Sequence, residues 1–159
     1  MYFPSTRNPS PKIQSPSDQK IMKNIKRPHS NPLAINILMN RYMVQRVLID
    51  TGSSVNLITL RVYEKLGLKK VDHTKVMFPL VKLGDKTVSV AKTMNLIVIL
   101  GNEVHKRTIY AKFVVVDISL SYNAILGRPI LNSNNILINM DCLYLKLLAL
   151  SGIVVVKRS

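Results

Sequence analysis

The chain has 159 residues, is 47% hydrophobic and carries a net charge of +15 at pH 7, which suits one modest soluble domain. No window approaches the roughly 20 consecutive apolar residues that a bilayer-spanning helix needs. The single cysteine, Cys142, excludes an intrachain disulfide, and the three histidines lack metal-ligand spacing. We therefore expect an intracellular protein, cytoplasmic or nuclear and not secreted, with no membrane span, no bound metal and no cofactor.

Residues 1–31 are predicted to be a disordered basic linker. They contain five of the eight prolines, separated by Ser, Asn and Lys, with hardly any apolar cluster. Burial in such a segment cannot offset the entropy lost on ordering it. The folded domain is expected to span residues 32–159.

The next part of the chain is predicted to form a β-hairpin, a short strand and a short helix. Asn40-Arg41 supplies a turn between two apolar runs, Thr59 can cap the helix, and Gly67 can end it. The expected bounds are 33–39 and 42–49 for the hairpin strands, 55–58 for the third strand and 60–66 for the helix.

The rest of the chain is predicted to consist mainly of short strands. Gly84-Asp85-Lys86 indicates a hairpin turn, and Pro129 occupies a favourable position in the first turn of a second short helix. Strands are expected at 78–83, 87–90, 94–100, 108–116, 125–127, 136–139, 143–148 and 153–156. Many short strands with two short helices indicate a mainly β, barrel-like domain.

One acidic residue stands out at the end of an apolar strand. Asp50 follows Val47-Leu48-Ile49 and precedes the turn residues Thr51-Gly52-Ser53-Ser54. A carboxylate beside buried aliphatic residues is rarely tolerated without partners. Taken alone, this aspartate either satisfies a turn or performs chemistry.

A second motif some 75 residues later favours chemistry. Ile125-Leu126-Gly127-Arg128-Pro129 follows the apolar run Phe113-Val114-Val115-Val116. Together with Asp50-Thr51-Gly52, this motif resembles the retropepsin family of aspartic proteases. The resemblance extends over about residues 32–157 and is to the protease domains of plant long-terminal-repeat retrotransposon polyproteins of the gypsy type.

The resemblance implies a retropepsin-like acid protease half-barrel, which is a closed, barrel-like β domain with a flap hairpin and one or two short helices. It also implies a homodimer that hydrolyses a polypeptide, because each chain has only one Asp-Thr-Gly motif. Two carboxylates about 3 Å apart share a proton, so that one is a base and the other an acid. Asp50 is the catalytic residue that each copy would contribute.

The resemblance also suggests roles for the neighbours of Asp50. The Thr51 hydroxyl would contact the other copy across the two-fold axis, the Gly52 N–H would bond the carboxylate, and Ser53 could donate a further hydrogen bond to it. A structure called the ψ-loop would hold the acid in place; its predicted residues are Ile125, Leu126 and Gly127.

The predicted flap comprises Lys82, Leu83, Gly84, Asp85 and Lys86. Related flaps usually contain more glycine, whereas Gly84 is the only glycine here. A second departure concerns Arg128, whose usual aspartate partner in compact viral relatives is replaced by Ser54.

Three functions remain open from the sequence. The leading one is an aspartic endopeptidase that processes a retroelement polyprotein. The first alternative is a catalytically inactive dimerisation or peptide-binding module with the same fold. The second is a nucleic-acid-associated accessory segment, which the charge favours because basic residues neutralise phosphates without sequence preference. However, no aromatic residues are interleaved with the basic pairs, such as Lys69-Lys70 and Lys106-Arg107, to stack on bases.

Overall fold

The structure is a computed structural model that describes residues 31–68, 73–74, 80–83 and 85–159. The linker predicted for residues 1–31 lies almost wholly outside these residues, and so do part of the strand predicted for 78–83 and Gly84. Within the described segments, no helix has the length and hydropathy that crossing a membrane requires.

The described residues form eleven strands and two short helices. The strands are β1 (Ala34–Met39), β2 (Tyr42–Ile49), β3 (Leu57–Thr59), β4 (His73–Thr74), β5 (Leu80–Leu83), β6 (Lys86–Gly101), β7 (Lys106–Val116), β8 (Ala124–Leu126), β9 (Leu137–Asn139), β10 (Tyr144–Ala149) and β11 (Gly152–Lys157). The helices are α1 (Leu60–Lys65) and α2 (Arg128–Ser133).

Six strands close into a barrel. The sheet runs in the order β1-β2-β8-β3-β7-β6, and β6 returns to β1 where Leu38 pairs with Ile99. The pairs β2–β8 and β3–β7 are parallel, and the other neighbours in the ring are antiparallel. Phe113, Met94 and Leu96 are fully buried inside it. The predicted mainly β, barrel-like domain is thereby confirmed.

Local signals determine the hairpin and both helix starts. Asn40 and Arg41 have φ of 43° and 70°, which is the left-handed turn conformation that connects two strands tightly. The Thr59 hydroxyl caps α1 by accepting a hydrogen bond from the Val62 N–H at 3.4 Å. Pro129 lies in the first turn of α2, as predicted.

Strand β6 differs from the prediction. The sequence predicts two strands, 87–90 and 94–100, whereas the structure has one strand of 16 residues. A bulge between Val90 and Lys92 lets the strand bend out of its hairpin with β5 and continue along β7. The polar residues at the bulge mark a bend of the strand and not its end.

The last three strands form a separate small sheet in the order β11-β10-β9. Leu145, Leu147 and Val154 point from this sheet into the main core. The alternate residues Leu148 and Ile153 pair across the strands and are exposed. The predicted bounds of these strands agree with the structure to within one residue.

Candidate active site

Asp50 is the first residue after β2. Its backbone N–H donates to the Leu126 carbonyl at 3.0 Å, which extends the β2–β8 pairing by one residue. The residue is half-buried, whereas Thr51 and Gly52 at the tip of the turn are exposed. Strand β8 therefore fixes the backbone from which the carboxylate projects.

The carboxylate of Asp50 is tied to its own turn by one hydrogen bond. The Gly52 N–H donates to Oδ1 at 2.9 Å, and the Ser53 N–H donates to the Asp50 carbonyl at 3.2 Å. This is the turn geometry that aspartate favours locally. Within the described part of the chain, Oδ2 accepts no hydrogen bond, so that oxygen is available to another group.

The Ser53 hydroxyl does not make the predicted bond to the carboxylate. It donates to the Val55 carbonyl at 2.8 Å and accepts from the Val55 N–H at 3.4 Å. Because Val55 is only two residues away, this local ring forms without any reach across the turn. The Ser53 side chain therefore stabilises the loop and makes no hydrogen bond to the Asp50 carboxylate.

Strand β8 lies between β2 and β3, which are connected by residues 50–56, the Asp50 loop. Leu126 is beside Ile49 of β2, and Ile125 is beside Leu57 of β3. The chain thus passes from β2 to β3 over a third strand that comes from far along the sequence. The predicted ψ-loop residues are brought directly behind Asp50, although their function stays a prediction.

Gly127 touches the Asp50 loop so closely that a side chain would not fit. A Cβ atom there would lie 2.2 Å from the Val55 carbonyl oxygen and 2.8 Å from that of Ser53. The neighbouring Arg128 N–H donates to the Ser53 carbonyl at 2.9 Å. Two backbones are therefore in direct contact at this point.

Asn56, in the Asp50 loop, connects this loop to β7 and to Gly127, and it is not among the predicted site residues. Its side chain is 2% exposed, donates from Nδ2 to the Lys112 carbonyl at 3.0 Å and accepts at Oδ1 from the Gly127 N–H at 3.0 Å. Its own carbonyl accepts from the Val114 N–H at 2.9 Å. An amide within the apolar run Val55-Asn56-Leu57 was the available signal, because a buried polar group needs partners.

A second apolar cluster, apart from the main core, includes residues of β2, of β8 and of the Asp50 loop itself. It joins residues from six strands and two loops. Its buried members are Leu57, Val88, Val90, Val114, Val116 and Ile125, and the partly buried Leu48, Val55, Leu83, Ile118 and Leu120 pack against them. Its members nearest to Asp50 in the sequence, Leu48 and Val55, are only partly buried, so accessible apolar side chains flank the acid along the chain.

The hairpin formed by β5 and β6 contributes Leu83 and Val88 to this cluster. Of the other predicted flap residues, Lys82, Asp85 and Lys86 are exposed, and Gly84 lies outside the described residues. The hairpin exists where the sequence predicts it, and its function as a flap remains a prediction. The described residues include no group of three or more His, Cys, Asp or Glu residues that could hold a metal ion.

Comparison with known proteins gives structural matches alone. No family model matches the sequence, and no curated protein matches it. The retroviral protease-like domain of Ddi1 from Leishmania major superposes with a TM-score of 0.61 at 17% identity, covering 82% of this chain and 96% of that one.

Two further solved structures are similar. EIAV protease in complex with the inhibitor HBY-793 has a TM-score of 0.50 at 20% identity, covering 69% of this chain and 93% of that one. A retropepsin-like aspartic protease from Rickettsia conorii has a TM-score of 0.49 at 17% identity, and the match covers 83% of this chain and 86% of that one. At these identities the likeness concerns the fold, and the chain has the retropepsin-like fold, with a closed barrel and two short helices.

Proposed function

We propose that this chain is an aspartic endopeptidase that acts as a homodimer, with Asp50 of each copy forming the catalytic pair. The observation that carries the proposal is the setting of Asp50. Its backbone is fixed by β8, its Oδ1 is held by the Gly52 N–H, and its Oδ2 is left open. A carboxylate that served only its turn would not need a third strand from far along the chain behind it.

The chemistry needs two carboxyl groups in different protonation states. Two Asp50 side chains brought together by the dimer would share one proton, because two negative charges at that distance repel each other strongly. The ionised member takes a proton from water, and the protonated member donates its proton to the carbonyl oxygen of the peptide bond. Water attacks the carbonyl carbon, and no covalent intermediate with the enzyme is required.

The substrate class follows from the second apolar cluster. An extended polypeptide lying along the partly exposed edge of this cluster, at Leu48, Val55 and Leu83, would bury apolar side chains on either side of the bond that is cut. We further propose that the substrate is the polyprotein of a gypsy-type retroelement, on the strength of the resemblance of the two motifs. Lys82 and Lys86 lie on the same hairpin as Leu83, and they would tolerate acidic residues near the cut.

The proposal is tested by digesting a mixed peptide library at mildly acidic pH with purified wild type and with Asp50→Asn, each with and without pepstatin. Asn keeps the shape and the hydrogen bond to Gly52 and loses the base, so cleavage should stop while the melting temperature changes little. Cleavage by purified Asp50→Asn at the wild-type rate would remove Asp50 from the mechanism. A folded, dimeric wild type that cleaves nothing in the library would instead favour an inactive peptide-binding module.

The dimer is tested separately through Thr51. If its hydroxyl contacts the second copy, Thr51→Ala should weaken the dimer, and activity per chain should recover as protein concentration rises. Sedimentation at the same concentrations measures the dimer fraction directly. A loss of activity that does not depend on concentration would contradict this role of Thr51.

A further inference from the structure

A groove of about 500 Å³ lies on the barrel, and the candidate active site does not account for it. Its walls come from the first half of β2, from α1 and from the loop between β7 and β8. The volume falls within the range typical of ligand sites.

All the charged residues that line this groove are cations. Arg46, Arg61 and Lys65 all line it and are all exposed, and none of the described lining residues is acidic. Within the described residues, these three side chains make no ion pair or hydrogen bond. Arg61 and Lys65 are four residues apart on α1, a spacing at which like charges destabilise a helix. An anion in the groove would relieve that repulsion.

Arg46 has a backbone conformation that few side chains adopt. Gln45 and Arg46 together stand opposite Asn36 in a β-bulge, and Arg46 has a φ of 56°. Asn123 supports the bulge, since its N–H donates to the Arg46 carbonyl at 3.1 Å and its Nδ2 donates to that of Gln45 at 2.8 Å. A strained residue that nearby hydrogen bonds hold in place often marks a functional position. Here the bulge adds a guanidinium group to the groove.

Tyr42 gives the same groove an aromatic ring, at the start of β2. The ring is partly buried and packs against the core, which limits its motion. Although no aromatic residue stands among the basic pairs in the sequence, the fold brings Tyr42 into one groove with three cations. Bases of single-stranded nucleic acid stack on such rings while basic residues contact the phosphates.

We propose that this groove binds single-stranded nucleic acid, with Arg46, Arg61 and Lys65 on successive phosphates and Tyr42 stacked on a base. The net charge of +15 supports the encounter over longer distances. An acidic peptide would satisfy the cations equally well and would leave the aromatic ring unexplained. This inference does not depend on the peptidase proposal, because its test measures binding alone.

The test is fluorescence anisotropy of a labelled single-stranded oligonucleotide titrated with the full chain over a range of salt concentrations. The groove variant carries Arg46→Gln, Arg61→Gln and Lys65→Gln. We expect it to bind at least about tenfold more weakly at 0.1 M salt. The slope of log affinity against log salt should fall by about 2, since each contact to a single-stranded phosphate contributes about 0.7.

The matched control carries Lys106→Gln, Lys112→Gln and Lys157→Gln, three exposed lysines on strands outside the groove. Both variants lower the net charge by three, so a difference between them reports position and not total charge. Equal weakening by the two variants would overturn the proposal in favour of diffuse attraction to the whole surface. No binding by wild type at low salt would also overturn it.

Two further variants separate binding from folding and from peptide recognition. Arg46→Gly removes the cation and accepts the positive φ freely, so it should bind more weakly while its melting temperature equals or exceeds that of wild type. Tyr42→Leu should weaken binding to the oligonucleotide and leave competition by polyglutamate unchanged. If polyglutamate displaces the oligonucleotide at equal charge concentration and Tyr42→Leu binds normally, the groove takes acidic peptides and the proposal fails.

Discussion

The contact between Gly127 and the Asp50 loop gives a strong test of how the site is held. In Gly127→Ala the new methyl group would lie 2.2 Å from the Val55 carbonyl oxygen, where ordinary contact begins at 3.4 Å. Two hydrogen bonds cross this contact, from the Gly127 N–H to Asn56 and from the Arg128 N–H to Ser53. Weakening both costs about 2 kcal/mol, and forcing an extra carbon into a packed site costs about 1–3 kcal/mol.

We therefore expect Gly127→Ala to lower the free energy of unfolding by about 3–5 kcal/mol, or the Tm by on the order of 10–20 °C. Urea unfolding and calorimetry measure the change. The matched control is Gly67→Ala, where φ is 60° but no atom lies within 4 Å of the new carbon. The control should lose only about 1 kcal/mol from backbone strain. A loss below about 1 kcal/mol for Gly127→Ala would refute the argument that backbone contact fixes the loop.

Three other substitutions probe the same region. Asn56→Asp puts a buried carboxyl group against the Lys112 carbonyl, and burial beside that oxygen raises the pKa of the new carboxyl group. The loss of Tm should therefore be largest at neutral pH and shrink as the pH falls towards 4. A loss that is the same at every pH would contradict this. Thr59→Ala removes the α1 cap and should cost about 1 kcal/mol in urea unfolding, whereas Thr59→Ser should cost much less. Gly52→Ala places a carbon 3.2 Å from Asp50 Oδ1. The kcat/KM of the proposed peptidase should fall with little change in Tm. Unchanged kinetics would exclude tight packing between residue 52 and the Asp50 carboxylate.

The elements that the sequence predicts well are those with local causes. The turn at Asn40-Arg41, the cap at Thr59 and Pro129 in α2 all act within a few residues, and each is found where expected. The sequence wrongly predicts two strands in place of β6, because the bend of this strand comes from its pairing with two different partners, β5 and β7. Pairing partners are a tertiary property, which a break in the apolar pattern cannot distinguish from a strand end.

The candidate site divides in the same way. Asp50 and Gly127 could be selected from motifs. The carboxyl group of Asp50 and the absence of a side chain at Gly127 are both visible in the sequence. The contacts of Asn56 and the support that Asn123 gives to Arg46 join segments far apart in the chain, so only the fold reveals them. The prediction for Ser53 is wrong because of a local contact: its hydroxyl donates to the Val55 carbonyl, two residues away, instead of to the Asp50 carboxylate.

The position of β8 between β2 and β3 also bears on when the site can form. Asp50 is synthesised before Leu126, whose carbonyl receives the Asp50 N–H and which leaves the ribosome only after the intervening residues. Contacts between distant segments form slowly because a long loop must close first. A growing or truncated chain that ends before β8 therefore has the acid without the strand that positions it. Proteolysis by the proposed enzyme would then begin only once the barrel has closed.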